Sequence, residues 1–338
     1  MPKKIFVTGG AGYVGSHSCV ELLKKNHDIM IFDDLSNSSE KVIDRIERLS
    51  KRSTQFSFGD IRDEDKVTKA MCRFKPDTVL HFAGLKAVED SVLNPLNYYD
   101  VNVQGTLNIL KSMIKADCCE IVFSSSASVY DSNKSVPYRE TSPTKPVSPY
   151  GRTKLICEGL IEDWTNSGQN NQGIILRYFN PVGAHESGLI GEDPKDTPNN
   201  LMPIISQVAS RERDYLTVFG KDYATRDGSG ERDFIHVVDL AHGHIRAIDE
   251  IRNLNDFEII NLGSGRGTTV LELVKSFEKA NKVKIPVETS DRRPGDVAKS
   301  VADSSKAFRL LQFKCAKSLN DMCLDAWNWQ IKKTTVLQ

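Results

Sequence analysis

A glycine-rich turn near the N-terminus constrains the fold more than any other feature of the sequence. The segment Gly10–Gly15 has the spacing G-x-G-x-x-G, and Gly9 adds an overlapping G-x-x-G-x-x-G pattern. The turn follows an apolar run at Lys4–Thr8 and opens a helical pattern at Val14–Lys25. Glycine is needed there because the main chain turns tightly and approaches a phosphate closely at the helix N-terminus. We predict a dinucleotide-binding β–α unit; a glycine-rich turn that binds nothing is the alternative.

Short apolar runs alternate with longer amphipathic segments through the first 180 residues. The runs are almost continuously apolar, which is typical of parallel strands buried on both faces. Strand–helix alternation of this kind predicts an α/β fold with a doubly wound, Rossmann-type parallel sheet. The predicted strands are Lys4–Thr8, Asp28–Asp33, Gln55–Gly59, Thr78–Phe82, Ile121–Ser125 and Gly173–Arg177. The predicted helices are Val14–Lys25, Glu40–Leu49, Glu64–Phe74, Tyr99–Lys115 and Tyr150–Asn166.

The pattern changes after about Asn180. Residues 181–203 and 220–231 are rich in Gly, Pro, Asp and Asn and are interpreted as loops, and loops of that length are usually functional or disordered. We predict a dinucleotide-binding domain at residues 1–180 and a smaller, irregular substrate-binding portion at residues 181–338, with some elements returning to the first domain. The elements predicted in this second portion are a strand at Glu258–Leu262 and helices at Asp239–Ile251, Thr269–Ala280 and Leu319–Trp329.

Composition excludes several classes of protein. Forty-five basic residues balance 45 acidic ones, which argues against a globally basic nucleic-acid binder. No stretch approaches the ~20 consecutive apolar residues of a membrane helix, and the N-terminal apolar run is too short for a signal peptide. We therefore expect a cytoplasmic protein. The seven cysteines are scattered and include no C-x-x-C pair, which favours reduced thiols. His242 and His244 are two residues apart in a predicted helix and so point to different faces, which argues against a metal site.

An acidic residue supports the dinucleotide interpretation. Asp33 ends the second predicted strand, 18 residues after Gly15, near the ~20 expected for the group that binds an adenosine ribose. A carboxylate at this position also repels a 2′-phosphate. The sequence therefore favours NAD over NADP as cofactor.

Tyr150 and Lys154 form a Y-x-x-x-K motif at the start of a predicted helix, where a spacing of four places both side chains on one face. A tyrosine base active at pH 7 needs its pKa lowered by about three, which is about 4 kcal/mol. A cation ~5 Å away supplies on the order of 3 kcal/mol at an effective dielectric constant of ~20, and a nicotinamide cation nearby would supply the rest. Tyr130 and Lys134 have the same spacing, but we interpret that match as accidental because it lies in a turn-forming stretch.

A run of serines strengthens the interpretation of Tyr150. The run Ser124, Ser125, Ser126 and Ser128 ends the fifth predicted strand, and ligands of open α/β sheets bind at the carboxyl ends of strands. Hydroxyl groups there would hydrogen-bond a substrate alcohol and share its proton with the tyrosine. For any single serine, an ordinary serine-rich turn remains the alternative.

These motifs, in this order, resemble the extended short-chain dehydrogenases/reductases, and more narrowly the UDP-glucose 4-epimerase family. The resemblance runs from Lys4 to about Trp329. The matching segments are Thr8–Gly15, Asp33–Ser38, Gly59–Arg62, His81–Val88, Asn102–Thr106, Phe123–Ser126, Ser148–Gly151, Arg177–Pro181, Asn199–Pro203, Arg232–His236 and Arg292–Asp296.

The resemblance implies a role for each matching residue. Tyr150 would be the base, Lys154 its electrostatic partner and a contact of the nicotinamide ribose, and Ser126 the hydroxyl that assists proton transfer. The implied NAD-binding residues are Gly9, Gly12, Tyr13, Val14, Gly15, Asp33, Asp34, Leu35, Ser36, Asn37, Ser38, Asp60, Ile61, Phe82, Ala83, Gly84, Lys86, Asn102, Ser124, Tyr150, Lys154, Tyr178 and Phe179. The implied UDP-sugar-binding residues are Lys86, Ser126, Asn180, Asn200, Leu201, Thr217, Val218, Phe219, Arg232, Arg293, Asp296 and Ser300.

The implied reaction is inversion at sugar C4 by transient oxidation with tightly bound NAD, in a homodimer. Two positions depart from the family pattern: Asp131 stands where Gly is usual after Val-Tyr, and Ser300 stands where many relatives carry a bulky aromatic residue. The small serine predicts that UDP-GlcNAc and UDP-GalNAc are accepted as well as UDP-glucose and UDP-galactose. Two alternatives stay open: a nucleotide-sugar 4,6-dehydratase, disfavoured because Ala127-Ser128 replaces the Asp-Glu pair of such enzymes, and a non-catalytic NAD-sensing protein.

Overall fold

The computed structural model describes residues 2–195, 198–293 and 296–337. Within Arg292–Asp296, residues Pro294 and Gly295 lie outside the described part, as do residues 196 and 197 of the first long loop. The strands are β1 (Lys4–Thr8), β2 (Asp28–Asp33), β3 (Gln55–Phe58), β4 (Thr78–His81), β5 (Glu120–Ser126), β6 (Gln172–Tyr178), β7 (Asn180–Val182), β8 (Leu216–Phe219), β9 (Glu231–His236), β10 (Phe257–Leu262), β11 (Gly267–Thr269), β12 (Val287–Ser290) and β13 (Lys299–Ser300). The α-helices are α1 (Tyr13–Lys24), α2 (Lys41–Ser50), α3 (Glu64–Phe74), α4 (Val88–Leu93), α5 (Pro95–Tyr98), α6 (Gly105–Lys115), α7 (Pro149–Asn166), α8 (Leu201–Ala209), α9 (Val237–Glu250), α10 (Val270–Asn281), α11 (Ser305–Leu311) and α12 (Leu319–Leu337).

A seven-stranded parallel sheet forms the centre of the fold. Its strand order is β10-β6-β5-β4-β1-β2-β3, and every pairing in it is parallel. All four residues of β4 are buried, as are four of the five in β1, because helices cover both faces of the sheet. This is the doubly wound, Rossmann-type α/β fold predicted from the alternating pattern.

The predicted elements of the first 180 residues match the structure to within about one residue at each end, with one exception. Tyr99–Lys115 is not a single α-helix: its first six residues, Tyr99–Gln104, form a π-helical segment that continues into α6. Two short helices, α4 and α5, were not predicted. They are separate because Pro95, the first residue of α5, provides no N–H for a helical hydrogen bond and disfavours a helical Asn94.

The second half of the chain contributes to two layers. Strand β10 extends the central sheet beside β6, and α9 packs on α1. The remaining strands form a smaller sheet, in which β9 pairs with β7, β11 and β13, and a separate pair of β8 with β12. A distinct apolar core between α8, α10 and α12 includes Ile205, Phe277 and Met322. This smaller layer lies on the carboxyl side of β6, since β7 follows β6 directly.

Two negative findings apply to the described residues 2–195, 198–293 and 296–337. None of their helices combines the length and apolar character needed to cross a bilayer. Likewise, this part of the chain contains no group of three or more His, Cys, Asp or Glu side chains arranged to hold a metal ion.

A buried histidine links β4 to its neighbours and to the helix layer. His81 ends β4, and its ring hydrogen-bonds Thr8 Oγ1 through Nδ1 (2.6 Å) and Thr106 Oγ1 through Nε2 (3.1 Å). Burial, with a smaller contribution from the Lys154 charge, lowers the pKa of His81 to about 3. The imidazole is therefore neutral in the folded protein at any pH near neutrality.

His81 makes stability depend on pH. In the unfolded chain His81 binds a proton below about pH 6.5, whereas in the folded protein it binds one only near pH 3. The contribution of His81 to stability is therefore complete above about pH 6.5 and falls as the pH decreases. Between pH 7 and 5, we expect His81 to account for about 2 kcal/mol of lost unfolding free energy. In His81→Gln, urea unfolding at both pH values should show a pH-dependent loss smaller by about that amount. The exposed His242→Gln is the matched control; an unchanged pH-dependent loss in His81→Gln would contradict the assignment.

Candidate functional site

Strand register brings the predicted site residues to one edge of the sheet. Thr8 of β1 lies beside Phe32 of β2 on one side and His81 of β4 on the other, and β4 and β5 then place His81 beside Phe123. Farther along, Ser126 of β5 pairs with Tyr178 of β6. The segments that follow these strands therefore meet along the carboxyl edge, where open α/β sheets bind ligands.

The glycine-rich turn is shaped for an anion. Helix α1 begins at Tyr13, its N-cap Gly12 provides no side-chain cap, and its first turn contains no acidic residue. A Cβ on Gly15 would lie 2.2 Å from the Gly9 carbonyl oxygen, and one on Gly9, whose φ is +68°, would lie 2.6 Å from the Ala83 nitrogen. Only glycines allow this close approach. The uncapped N–H groups of the helix N-terminus can therefore bind the pyrophosphate of a dinucleotide.

Asp33 holds the two loops that border this turn. Its Oδ2 accepts a hydrogen bond from the Ala11 N–H (3.0 Å), and its Oδ1 accepts from the Leu35 N–H (2.8 Å) and the Ser38 hydroxyl (3.3 Å). Burial raises the pKa of Asp33, which these hydrogen bonds partly offset. A carboxylate offers about four acceptor positions, so one remains for a ribose hydroxyl. The site thus fits the adenosine half of NAD.

Other predicted cofactor residues line the same edge. Asn102 lies in the π-helical segment, where its Oδ1 accepts from the Leu85 N–H (2.7 Å) and its Nδ2 donates to the Leu85 carbonyl and to Thr153 Oγ1. It therefore fixes the loop after β4 against α7. Asp60 forms a salt bridge with Arg62 (2.6 Å). Three further members of the set have separate contacts: Ile61 is buried, the Phe82 ring lies tilted against His244 with ring centres 4.8 Å apart, and Asn37 Oδ1 accepts from the Lys195 N–H.

The structure brings the three predicted catalytic residues together. The Ser148 side chain caps α7 by accepting from the Gly151 N–H (3.1 Å), which places Tyr150 in the first turn of the helix. One turn later, Lys154 is buried and its Nζ donates to the Ser124 carbonyl (2.8 Å). The Ser126 side chain lies beside the half-buried Tyr150, and its Oγ accepts hydrogen bonds from the Ser128 N–H (3.2 Å) and hydroxyl (2.9 Å). A phenol, a hydroxyl and an ammonium thus lie at the junction of β5 and α7.

The acidity of Tyr150 differs from the expectation. Burial raises the pKa of Tyr150, and the neighbouring Ser126 side chain opposes that effect without overcoming it. The expected lowering by Lys154 is not found, because the ammonium is directed to the Ser124 carbonyl and lies 4.8 Å from the centre of the Phe123 ring. Burial also lowers the pKa of Lys154 to about 8.

The competing Tyr130 motif has no such geometry. Tyr130 is buried, stacks on Tyr138 with ring centres 5.0 Å apart, and donates from its hydroxyl to Asn261 Oδ1 (2.5 Å). Lys134 lies beyond it in a turn, not on a shared helix face. The unusual Asp131 fits this turn without a left-handed backbone, and its N–H donates to the Pro143 carbonyl (2.9 Å).

Apart from Lys86 and Ser126, which lie at the edge of the central sheet, the predicted UDP-sugar residues come from the second half of the chain. Arg232 on β9 donates to the Val297 carbonyl (2.8 Å) and pairs with Asp296 (3.3 Å). The Arg293 guanidinium lies 3.8 Å from the centre of the Phe219 ring and pairs with Glu89. The remaining members have separate positions: Thr217 and Val218 precede Phe219 on β8, Asn180 begins β7, Asn200 and Leu201 begin α8, and Ser300 pairs with Arg232 between β13 and β9.

Sequence patterns missed several residues that shape the site. Glu158, one turn after Lys154 on α7, accepts from Ser125 and forms a buried salt bridge with Arg177 (2.6 Å). Its i+4 spacing from Lys154 was the available signal. In contrast, Glu192 contacts Lys86 and Asn200 from the long loop after β7, where no periodicity marks it.

The chain is similar to known proteins over nearly its whole length. A family model described as GDP-mannose 4,6 dehydratase matches residues 6–326. A UDP-glucose 4-epimerase of Cyamopsis tetragonoloba is 50% identical over 335 residues, covering 97% of this chain and 95% of the relative. The solved structure of a UDP-glucose 4-epimerase from Stenotrophomonas maltophila, with bound NAD and formylated UDP-arabinopyranose, has a TM-score of 0.96 at 46% identity, covering 98% and 99% of the two chains. The UDP-Glc/GlcNAc 4-epimerase of Campylobacter jejuni has a TM-score of 0.85 at 34% identity, covering 97% and 99%.

An NAD-type fold, a Tyr-Lys-Ser constellation and full-length similarity therefore point to one group of proteins. The chain belongs to the UDP-glucose 4-epimerase family of the extended short-chain dehydrogenases/reductases.

Asp33→Asn tests the dinucleotide half of the site. The amide replaces one acceptor oxygen by a donor, which would face the Ala11 or the Leu35 N–H, so the turn around the cofactor loses a charge-assisted hydrogen bond. We expect NAD affinity, measured by calorimetric titration, to fall about tenfold or more. Asp28→Asn, at the exposed opposite end of β2, is the control and should bind NAD normally. Equal affinities of the two variants would contradict the role of Asp33.

Proposed function

We propose that Tyr150, Lys154 and Ser126 carry out the proton chemistry of an NAD-dependent 4-epimerase that interconverts UDP-glucose and UDP-galactose. The observation that carries this proposal is their convergence where β5 meets α7, at the same sheet edge as the glycine-rich turn. The cofactor is NAD, as Asp33 favours and as the relative with bound NAD supports.

Each of the three groups has a distinct task. The Tyr150 oxygen takes the proton of the sugar 4-hydroxyl and returns it to the 4-oxygen at the end of the cycle. The Ser126 hydroxyl, which lies beside Tyr150, shares that proton. The Lys154 ammonium donates to the Ser124 carbonyl and does not lower the pKa of Tyr150 in this arrangement, so the charge that favours the phenolate would come from a bound nicotinamide cation. Lys154 itself would contact the nicotinamide ribose. When bound, NAD would reversibly accept the hydride that leaves sugar C4, so the cofactor ends each cycle unchanged.

The smaller layer holds the nucleotide. Arg232 and Arg293 bind the UDP diphosphate, since guanidinium groups match phosphate oxygens well. Because UDP is held through these groups, the sugar itself can turn over between oxidation and reduction and present its other face. This division supports residues 1–180 as the NAD-binding part and residues 181–338 as mainly the UDP-sugar-binding part.

A 4,6-dehydratase is the second candidate on the same scaffold, and the family model that matches carries that description. Elimination of water needs acid–base groups near the sugar. The short 3₁₀ turn after β5 contains Ala127 and Ser128 in the place where the sequence comparison expects an Asp-Glu pair. This observation favours the epimerase.

Tyr150→Phe removes the base and leaves the ring. We expect kcat to fall by about 10²–10⁴-fold while NAD is retained. Tyr130→Phe is the matched control: it deletes the hydroxyl bonded to buried Asn261, which costs about 1–3 kcal/mol of stability, but activity should remain. A coupled UDP-glucose assay with UDP-galactose as substrate measures both variants. Equal losses of kcat would contradict the choice of Tyr150.

We also propose that the enzyme epimerises UDP-GlcNAc and UDP-GalNAc. Ser300 pairs with Arg232 across β13 and β9, and alternation along a strand places its side chain on the face that Arg232 shares. A serine leaves open the volume that an aromatic ring would take from a 2-acetamido group. The Campylobacter jejuni relative, whose name includes GlcNAc, supports this wider range.

Ser300→Tyr should lower kcat/KM for UDP-GalNAc by about tenfold or more and spare UDP-galactose, because the ring refills the acetamide space. Lys299→Tyr is the control, since Lys299 points to the opposite face and pairs with Glu231 (3.4 Å). An unaltered substrate preference in Ser300→Tyr, or a natural protein without UDP-GalNAc turnover, would contradict the proposal.

The active form is proposed to be a cytoplasmic homodimer that binds neither nucleic acid nor membrane. Val92, Leu93 and Leu96 on α4 and α5 and Ile156 on α7 are large exposed apolar side chains, and these helices pack together. A shared apolar surface of this kind supports pairing with a second copy. The balanced charge of the chain supports the absence of nucleic-acid binding.

A further inference from the structure

Glu192 is a mostly buried carboxylate that the preceding proposal leaves without a role. Its side chain is only 9% exposed although it lies in the long loop between β7 and α8. The main chain around it is fixed: its carbonyl accepts from Trp329 Nε1 (3.1 Å), and a Cβ on the adjacent Gly191 would lie 2.4 Å from the Trp329 ring. The main chain that carries Glu192 is therefore held in place by α12.

One carboxylate oxygen serves two proposed ligand-binding residues. Glu192 Oε1 accepts a hydrogen bond from Lys86 Nζ (2.9 Å) and another from Asn200 Nδ2. Lys86 follows β4 on the side of the cofactor site, whereas Asn200 is the N-cap of α8 on the side of the UDP-sugar site. The shared oxygen thus sets an ammonium and an amide side by side where the two sites meet.

The surroundings of Glu192 connect it to the glycine-rich turn. Lys86 Nζ lies 5.8 Å from the centre of the Tyr13 ring, and the Tyr13 hydroxyl donates to the Gly183 carbonyl (2.7 Å). Burial, together with the nearby Glu192 charge, raises the pKa of Tyr13. The carboxylate is therefore close to the first turn of α1, where an unbalanced negative charge would repel a pyrophosphate. Its salt bridge with Lys86 removes that repulsion.

Holding Lys86 in advance has an energetic consequence. Its side chain is half exposed, and ordering a free lysine costs side-chain entropy. A partner that already fixes the ammonium reduces the cost of ordering it when substrate binds. The effect is on binding, because the Glu192 carboxylate contacts Lys86 and Asn200, two proposed ligand-binding residues.

We propose that Glu192 is a positioning residue for the UDP-sugar complex, acting through Lys86 and Asn200. The proposal rests on the proposed function of those two residues. This role requires an acceptor oxygen at the present position of Glu192 Oε1, within hydrogen-bond distance of Lys86 and Asn200, and not merely a negative charge.

Three substitutions separate these requirements. Glu192→Ala removes the acceptor, and we expect KM for UDP-galactose to rise about tenfold with kcat changed by less than about threefold. Glu192→Asp keeps the charge but draws the oxygen back by one methylene, so KM should rise about fivefold. Glu192→Gln keeps the oxygen and loses the charge, so KM should stay within about twofold. Glu186→Ala is the control: it removes an exposed carboxylate of the same loop, which pairs with Lys317 at 3.5 Å, and should leave both constants unchanged.

The KM order Ala > Asp > Gln supports the proposal. A larger KM in Glu192→Gln than in Glu192→Asp overturns it in favour of a charge effect, and this comparison decides even if Glu192→Ala does not fold. Unchanged KM in all three variants, or equal losses of kcat, also overturns it. A natural protein that forms no UDP-glucose from UDP-galactose would contradict the proposed function itself, a result distinct from any of these.

Discussion

The buried ammonium of Lys154 is the constraint on which the arrangement of the site depends. An unpaired charge costs several kcal/mol to bury, so α7 must pack where Nζ can donate to the Ser124 carbonyl at the end of β5. Tyr150 precedes Lys154 by one turn and Ser126 follows Ser124 by two residues, so the same contact sets the phenol beside the hydroxyl. A pKa of about 8 for Lys154 keeps the ammonium mostly charged at pH 7 and makes that charge sensitive to alkali.

A buried salt bridge also holds α7 against the central sheet. Glu158 lies one turn after Lys154, accepts from the Ser125 hydroxyl and pairs with Arg177 of β6, so one helix face carries base, cation and anchor in succession. Breaking such a pair by removing one partner typically costs about 3–5 kcal/mol. Stability and site geometry therefore depend on the same contacts between α7, β5 and β6.

The features that could be predicted from the sequence are those that local residue patterns determine. Apolar runs bounded by turns located the first six strands of the central sheet, and the motifs located Tyr150, Lys154, Ser126 and Asp33. Local patterns do not contain contacts between distant segments. The run at Glu258–Leu262 was identified as a strand, but its place beside β6 depends on tertiary packing. Likewise, the Lys86–Glu192 contact joins residues 106 positions apart, and the Lys154–Ser124 bond, which redirects the ammonium, cannot be read from i, i+4 spacing.

The central claim is that hydrogen removed from sugar C4 returns to the same carbon within one active site. The direct test is incubation of the purified protein with UDP-galactose in deuterated water, with the product analysed by NMR. The account predicts UDP-glucose that retains protium at C4, without accumulation of reduced cofactor. Deuterium at C4, or release of a 4-keto-6-deoxy sugar, would contradict it.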